Sequence, residues 1–344
     1  MRSSIERRAV TLSPCHLVTP SPCPDHWGNI QLATSTTLQA PLRAEAQKQR
    51  MTSAQRRDLR DGLLFTSPFI VGVLIWWIGP MLYSLYLLVH EWNMLAPPKF
   101  VGFGHVERML ADPLVSKSLV NTAYYTFFGV PLQLLVAFAL AVMLNQQVRG
   151  LGIYRTIYYL PSITPAVAFA VVWVQILNPE FGVFNEVLSW VGLGPINWLY
   201  DPNWSKPAFI IMTLWLTGFQ MIIFLAGLQG VPKELQEAAE IDGATVWRRF
   251  FSVTIPIISP IIFFNLIIGI IGSFQVFTSA FIMTDGGPQD STLFMVLYLY
   301  RNAFELFRMG YAAALAWLLF VIIMIFTGIQ FFLANRWVYY EGKL

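Results

Sequence analysis

Six long stretches of the chain contain no Asp, Glu, Lys or Arg, and shorter polar segments separate them. The stretches cover residues 63–89, 119–144, 157–177, 208–228, 257–283 and 311–334. A helix needs about 20 apolar residues to cross the ~30 Å hydrocarbon core of a bilayer. A water-soluble fold would have to bury all six stretches at once. The pattern therefore predicts an all-α membrane protein with six transmembrane helices.

Composition agrees with this class. Hydrophobic residues make up 56% of the 344 residues and charged residues only 12%, and the mean hydropathy is +0.57. A soluble domain carries about 25% charged residues. The chain is therefore expected to be a multi-pass protein surrounded by membrane lipid.

The N-terminal part of the chain has a different composition. Pro, Ser, Thr and Gln are scattered through it, without an apolar run. Such a segment cannot bury a core, so we expect residues 1–57 to be a disordered leader and a cytoplasmic N-terminus, and residues 58–344 to form one transmembrane domain. Cys15 and Cys23 lie in the leader without metal-ligand spacing, and no role is assigned to them.

Basic residues in short loops stay cytoplasmic, and their positions predict the orientation. On one side lie Arg43, Lys48, Arg50, Arg56, Arg57, Arg60, Arg149, Arg155, Lys233, Arg248, Arg249, Arg336 and Lys343. The other side has fewer, mixed with acidic residues. Both termini and the polar segment 230–256 are therefore predicted to be cytoplasmic. The net charge of +3 reflects this bias; without a basic stripe interleaved with aromatic residues, it does not indicate nucleic acid binding.

Residues 230–256, called the 230–256 loop below, form a charged, polar segment between two predicted spans. Pro232 suits the first turn of a helix, and Leu235, Ala238 and Ala239 share one helical face. Gly243 is suited to the left-handed conformation that ends a helix, and we expect Pro256 to open the next span. An amphipathic loop in the headgroup region is the alternative interpretation.

The same residues resemble the signature of binding-protein-dependent ABC importer permeases. That signature reads E-A-A, three residues, G, nine residues, an apolar residue, one residue, another apolar residue and P. Val253 stands where isoleucine is usual. The resemblance implies a type I importer fold with six helices, in which the loop docks on a cytoplasmic ATPase. The residues assigned to this coupling are Glu237, Ala238, Ala239, Asp242, Gly243 and Pro256.

Further motifs extend the resemblance from about Asp58 to the C-terminus. Tyr158-Tyr159-Leu160-Pro161 and Thr284-Asp285-Gly286-Gly287-Pro288 are similar to segments of the sugar-type permeases. Met51 opens a stretch typical of a permease N-terminus, so we expect translation to start there. The resemblance implies a second permease, ATPase subunits, an extracytoplasmic solute-binding protein and a sugar or polyol substrate as partners.

The sequence also narrows the energy source. It has no G-x-x-x-x-G-K-[ST] phosphate loop, so we expect no cofactor in this chain, with ATP and Mg bound by a partner ATPase. Ion-coupled carriers usually keep charged residues at the bilayer midplane, and the predicted spans contain none. A secondary carrier is the alternative function, and the missing midplane charges argue against it. No catalytic constellation is found, so the chain is predicted to be a transport subunit and not an enzyme.

A candidate solute path follows from the resemblance to maltose-type permeases, which bind sugar at the corresponding depth of spans four and five. Alignment on Trp215 and Gly227-Leu228 places Leu216, Thr217 and Gln220 on the path. Counting back from Thr284 places Gly269, Ser273 and Val276 there, at i, i+4 and i+7 of one helical face. Amides and hydroxyls suit a neutral polyhydroxylated solute. Close packing of membrane helices at small residues is the alternative role of these positions.

Overall fold

The computed structural model describes residues 52–146 and 149–339. The chain divides into two units, Met1–Phe65 and Thr66–Leu344. Three expectations concern residues outside the described ranges: the disorder of the leader up to Met51, the translation start at Met51 and the lack of a role for the two cysteines. Helix α1 begins at Ser53, ahead of the predicted domain boundary at Asp58. Thr52 and Gln55 exchange hydrogen bonds of 3.0 and 3.3 Å, which is the capping box that starts a helix.

The described residues form fifteen α-helices and one two-stranded antiparallel hairpin. In chain order they are α1 (Ser53–Val73), α2 (Gly79–Leu88), β1 (His90–Glu91), β2 (Lys99–Phe100), α3 (Gly104–Ala111), α4 (Pro113–Leu144), α5 (Leu151–Tyr159), α6 (Ala166–Ile176), α7 (Val183–Trp190), α8 (Pro202–Trp215), α9 (Gly218–Gln229), α10 (Lys233–Ile241), α11 (Val246–Arg249), α12 (Ile255–Phe274), α13 (Thr278–Met283), α14 (Met295–Tyr300) and α15 (Met309–Trp337).

Four continuous helices among the described residues are long and apolar enough to cross a membrane. They are Ser53–Leu88, Pro113–Leu144, Val246–Phe274 and Met309–Trp337. Two bent pairs, α5–α6 and α8–α9, bring the number to six if each pair is one span. The helical membrane fold predicted from the pattern is therefore confirmed.

Two predicted spans are not the single helices that the pattern indicated. Span three bends by 100° between Ile163 and Ala166, and span four by 47° between Trp215 and Gly218. In span three, Thr164 has the extended ψ of 134° that a residue before proline prefers, and Pro165 then starts α6. A count of apolar residues detects neither break, because the residues at both breaks are uncharged.

Pro256 stands in the first turn of α12, as expected of a residue that opens span five, but the helix also continues back from it to Val246. A π-helical turn, Phe250–Thr254, precedes the proline, and the Ile255 amide donates to the Phe250 carbonyl five residues back. The same arrangement stands before Pro80, where the Gly79 amide donates to the Leu74 carbonyl. A wider turn accommodates a proline that has no N–H and would clash with an ordinary helical turn. Span five also ends at Phe274, short of the predicted residue 283.

Helix α4 lies at the centre of the packing. One apolar cluster joins it to α6, α8, α14 and α15, with Trp173, Phe209 and Phe294 almost fully buried. The other joins its second half to α9 and α12 around Met221 and Ile258. Spans two, four and five are thereby held side by side, which sets the position of the site described below.

Asp112 connects several elements at the end of the membrane domain where α4 begins. Its carboxylate caps α4 by accepting from the Leu114 amide at 3.0 Å and accepts hydrogen bonds from the hydroxyls of Tyr298 and Tyr311. Burial works to raise the pKa of Asp112, but these hydrogen bonds and the nearby Arg108 hold it below its ordinary value of 3.8. The charged carboxylate thus ties together α4, α14 and α15.

Candidate functional site

A cavity of about 260 Å³ lies between spans two, four and five. It is called the solute cavity below. Its lining comes from four helices and the segment after α12: Tyr125, Gly129, Val130, Gln133, Thr213, Gln220, Ile268, Gly269, Gly272, Ser273 and Val276. No lining residue is charged. Its volume lies slightly below the usual range for ligand sites, about 300 to 1,000 Å³.

Most polar groups of the solute cavity are already paired. The Tyr125 hydroxyl lies 2.6 Å from Thr213 Oγ1, and the Ser273 hydroxyl lies within hydrogen-bond distance of Thr126 Oγ1 at 2.9 Å and of the Ile270 carbonyl at 2.8 Å. Gln220 differs, because its Oε1 is buried and has no hydrogen-bond partner among the residues that the structure describes. A buried carbonyl oxygen without a partner costs free energy, so this atom is suited to accept from a hydroxyl donor that enters the cavity.

The structure brings four of the six predicted path residues together. Gln220, Gly269, Ser273 and Val276 line the solute cavity. Val276 does so from beyond the end of α12, so the expected single helical face stops at Ser273. Leu216 and Thr217 lie at the break between α8 and α9 and are not lining residues. The Leu216 carbonyl nevertheless accepts a hydrogen bond of 3.4 Å from Nε2 of Gln133, which is a lining residue.

Sequence reasoning missed the contribution of span two. Tyr125, Gly129 and Gln133 follow one another at intervals of four residues on α4 and form one wall of the cavity. This i, i+4, i+8 spacing of small and polar residues in an apolar helix was visible in the sequence. Nothing in the sequence alone indicated that this face meets α9 and α12.

The 230–256 loop forms two short helices. Helix α10 ends where Gly243 adopts a φ of 75°, and the amides of Gly243 and Ala244 donate to the carbonyls of Glu240 and Ala239. This is the glycine stop that the sequence predicted. Thr245 then caps α11 through the Arg248 amide, and an Arg249–Glu240 ion pair joins the two helices.

The two helices present an exposed surface. Ile241, Val246 and Trp247 are 87%, 70% and 73% exposed. Glu237 and Ala238 are exposed, Ala239 is half-buried, and Asp242 is exposed at the end of α10. Glu237 forms no ion pair with any residue that the structure describes. Exposed apolar side chains with an unpaired carboxylate among them are typical of a surface that another protein covers.

The geometry offers no metal centre in the described part of the chain, since no three His, Cys, Asp or Glu side chains there are grouped to hold an ion. The uncharged lining of the solute cavity suits an uncharged solute, and the 230–256 loop exposes apolar side chains at its surface.

Comparison with known proteins gives a consistent result. Residues 119–339 match the family model described as "Binding-protein-dependent transport system inner membrane component". The chain is 42% identical over 293 residues to the "Probable ABC transporter permease protein YesP" of Bacillus subtilis, covering 84% of this chain and 94% of that protein. It is 34% identical to the lactose transport system permease protein LacF of Rhizobium radiobacter, covering 83% and 99%.

A solved structure has the same fold. The chain resembles a chain in the crystal structure of a bacterial ABC transporter involved in the import of the acidic polysaccharide alginate. The TM-score is 0.72 at 26% sequence identity, and the match covers 83% of this chain and 99% of that one. The arrangement of the six spans is therefore that of an ABC importer permease.

Proposed function

Since the chain belongs to the family of binding-protein-dependent transport system inner membrane components, we propose that it is the permease subunit of an ATP-driven importer for a sugar or related polyol. A permease subunit of this family is a multi-pass membrane component and not itself an enzyme. The solute crosses the cytoplasmic membrane by alternating access of the solute cavity to the two sides.

The observation that carries the substrate class is the lining of the solute cavity. A tyrosine, a serine, a threonine and two glutamines line it together with glycine and aliphatic residues, without a charge. Neutral hydroxyls and amides exchange hydrogen bonds with sugar hydroxyls, and the unpaired Gln220 oxygen provides a ready acceptor. The names of two relatives, LacF for lactose and MalF of Thermococcus litoralis for trehalose and maltose, support the same class.

The partners follow from the assembly that such a subunit requires. A second permease completes the path, ATPase subunits bind ATP and Mg outside this chain, and an extracytoplasmic solute-binding protein delivers the sugar. Support comes from an alginate importer whose structure is in complex with a periplasmic protein that holds an alginate pentasaccharide.

Coupling is carried by the continuous helix of span five. Its first residue, Val246, belongs to the exposed surface of the 230–256 loop, and Ser273 near its other end lines the solute cavity. At 1.5 Å per residue the two lie about 40 Å apart along one helix. A shift of the loop on ATPase closure is therefore passed along this continuous helix to the cavity wall.

The first test is purification of the chain from its native membrane in a mild detergent, with mass spectrometry of what accompanies it. An ATPase with a phosphate loop and a second permease are expected. Repeated recovery of the folded chain alone, together with uptake that persists without any ATPase, would favour a secondary carrier instead.

The second test uses charge changes in the 230–256 loop. Glu237→Lys and Gly243→Asp should abolish uptake of radiolabelled lactose, trehalose or maltose and reduce ATPase copurification, with normal membrane insertion. Glu180→Lys makes the same charge change between spans three and four, and we expect it to retain uptake. Wild-type uptake by both loop variants would reject the coupling role.

A further inference from the structure

A second concave surface lies on the outer side of α4, away from the solute cavity. The groove runs between α4 and α8 and is called the α4/α8 groove here. Its volume is about 440 Å³, and its lining includes Tyr124, Phe128, Pro131, Leu135, Pro207 and Ile211. Tyr124 and Tyr125 are neighbours in sequence, but Tyr124 faces the groove and Tyr125 the solute cavity. The two sites are thus on different faces of one helix.

The length of the groove matches half of a bilayer. Tyr124 to Leu144, where α4 ends, spans about 30 Å of helix, which is the thickness of the hydrocarbon core. A charged amine is costly inside hydrocarbon, and Lys206 Nζ lies 5.2 Å from the Tyr124 ring, so we place Tyr124 near one boundary of the core. Leu135 lies about 16 Å deeper, near the midplane. Pro207, in the second turn of α8, lines the groove together with Tyr124.

The side-chain ammonium group of Lys206 lies at the end of the groove that Tyr124 lines. Lys206 Nζ lies 5.2 Å from the centre of the Tyr124 ring and 3.4 Å from Asn121 Oδ1. Among the described residues, no carboxylate lies within 4.0 Å of this amine. Asn121 also connects Lys206 to a second lysine, because its side-chain amide donates to the Asp290 carbonyl. The Asp290 carboxylate in turn lies 3.9 Å from Lys117 Nζ. Two ammonium groups and one carboxylate leave a net positive charge there.

We propose that the α4/α8 groove binds an anionic phospholipid. One acyl chain lies in the groove from Tyr124 to Leu135, and the headgroup phosphate contacts the Lys206 amine. The length of the apolar part equals one leaflet, and the charge at its head is opposite to that of a phosphate. Basic residues near a membrane surface attract anionic lipid headgroups. A helix of a partner permease would need the same apolar surface but not the cation at its end.

The experiment is native mass spectrometry of the purified full-length chain in mild detergent, titrated with phosphatidylglycerol or phosphatidylcholine. We expect the chain to bind phosphatidylglycerol more tightly than phosphatidylcholine. Lys206→Gln should weaken phosphatidylglycerol binding roughly fivefold, the factor for about 1 kcal/mol per basic residue near a lipid surface, and leave phosphatidylcholine binding unchanged. Lys99→Gln, a matched control in β2, should bind phosphatidylglycerol like the wild type.

A second variant tests the groove itself. Leu135→Trp fills the deep end with a larger side chain, and since Leu135 is 65% exposed, the fold should tolerate it. It should weaken binding of both lipids, with the thermal stability of the chain unchanged. Equal binding of the two lipids by the wild type, or undiminished phosphatidylglycerol binding by Lys206→Gln, would overturn the proposal.

A third measurement distinguishes a lipid from a protein in the groove. Phe128→Cys, in a chain with Cys15 and Cys23 replaced by serine, is treated with a bifunctional thiol and amine crosslinker in the native membrane. A crosslink to another polypeptide at high yield would show that a partner helix occupies the groove and would refute the lipid site. Absence of a protein adduct is the expected result, because phosphatidylglycerol has no amine with which the crosslinker can react.

Discussion

The buried oxygen of Gln220 is the most specific chemical group of the solute cavity. Neighbouring hydroxyls pair with one another, whereas this acceptor has no partner in the structure. A sugar hydroxyl that donated to it would regain the free energy that the unpaired oxygen costs, about 1 to 3 kcal/mol. Gln220 therefore gains its hydrogen bond only when substrate is bound. Substitution of Gln220 should weaken substrate binding more than it destabilises the fold.

We predict that the double variant Gln220→Leu with Ser273→Leu impairs sugar uptake at least tenfold while the chain still inserts. Leucine removes the free acceptor and the Ser273 hydroxyl, and its added apolar volume narrows the cavity. Uptake rates normalised to the amount of chain in the membrane are the measurement. Gln175→Leu, at an exposed position of α6, is the control. Unchanged uptake by the double variant would discard the site.

The two bent spans meet at their breaks. A Cβ atom on Gly218 would lie 2.4 Å from the Tyr158 carbonyl oxygen and 2.7 Å from the Ser162 hydroxyl. Only glycine permits this approach of α9 to the end of α5. The break in span four is thereby placed against the break in span three, and the position of Gln220 two residues later depends on it.

We predict that Gly218→Val destabilises the purified chain by about 1 to 3 kcal/mol, since overpacking forces two backbones apart. The measurement is thermal unfolding in detergent. Gly152→Ala is the matched control, because a Cβ there meets nothing within 4 Å, and we expect little change. Equal melting temperatures for Gly218→Val and the wild type would show that the breaks do not support each other.

The Asp112 network makes a separate prediction for the junction of α4, α14 and α15. Because the folded-state pKa of Asp112 lies below its ordinary value of 3.8, its contribution is present above pH 3.8 and is lost as the pH falls through the lowered value. Asp112→Asn should cost roughly 1 kcal/mol at neutral pH. The difference from the wild type should close under strongly acidic conditions. A constant difference in unfolding midpoint at every pH would contradict the role of the charge.

The orientation of the whole molecule across the membrane follows from its basic residues. The distribution of Lys and Arg predicts that both termini and the 230–256 loop are cytoplasmic. A fluorescent protein fused after Leu344 should therefore fluoresce, and alkaline phosphatase fused after Glu180 should be active. The opposite pattern would invert the orientation and place the exposed loop surface on the wrong side for an ATPase.

The sequence alone determined the class of this protein, its six apolar segments and the 230–256 loop. Each depends on local chemistry: a long stretch without charge must leave water, and a glycine with positive φ ends α10 wherever the helix lies. The family resemblance likewise needed only residues at fixed spacing.

Only the tertiary structure decided where spans three and four break, how far the helix of span five extends and which side chains share the solute cavity. Tyr125 and Ser273 are far in sequence from each other and from Thr213 and Gln220. These side chains meet because α4, α8, α9 and α12 pack against one another. Periodicity indicates which face of a helix is special but not which face of another helix it contacts. Side-chain packing between helices fixes that choice, and Gly218 shows how a single missing Cβ atom decides it.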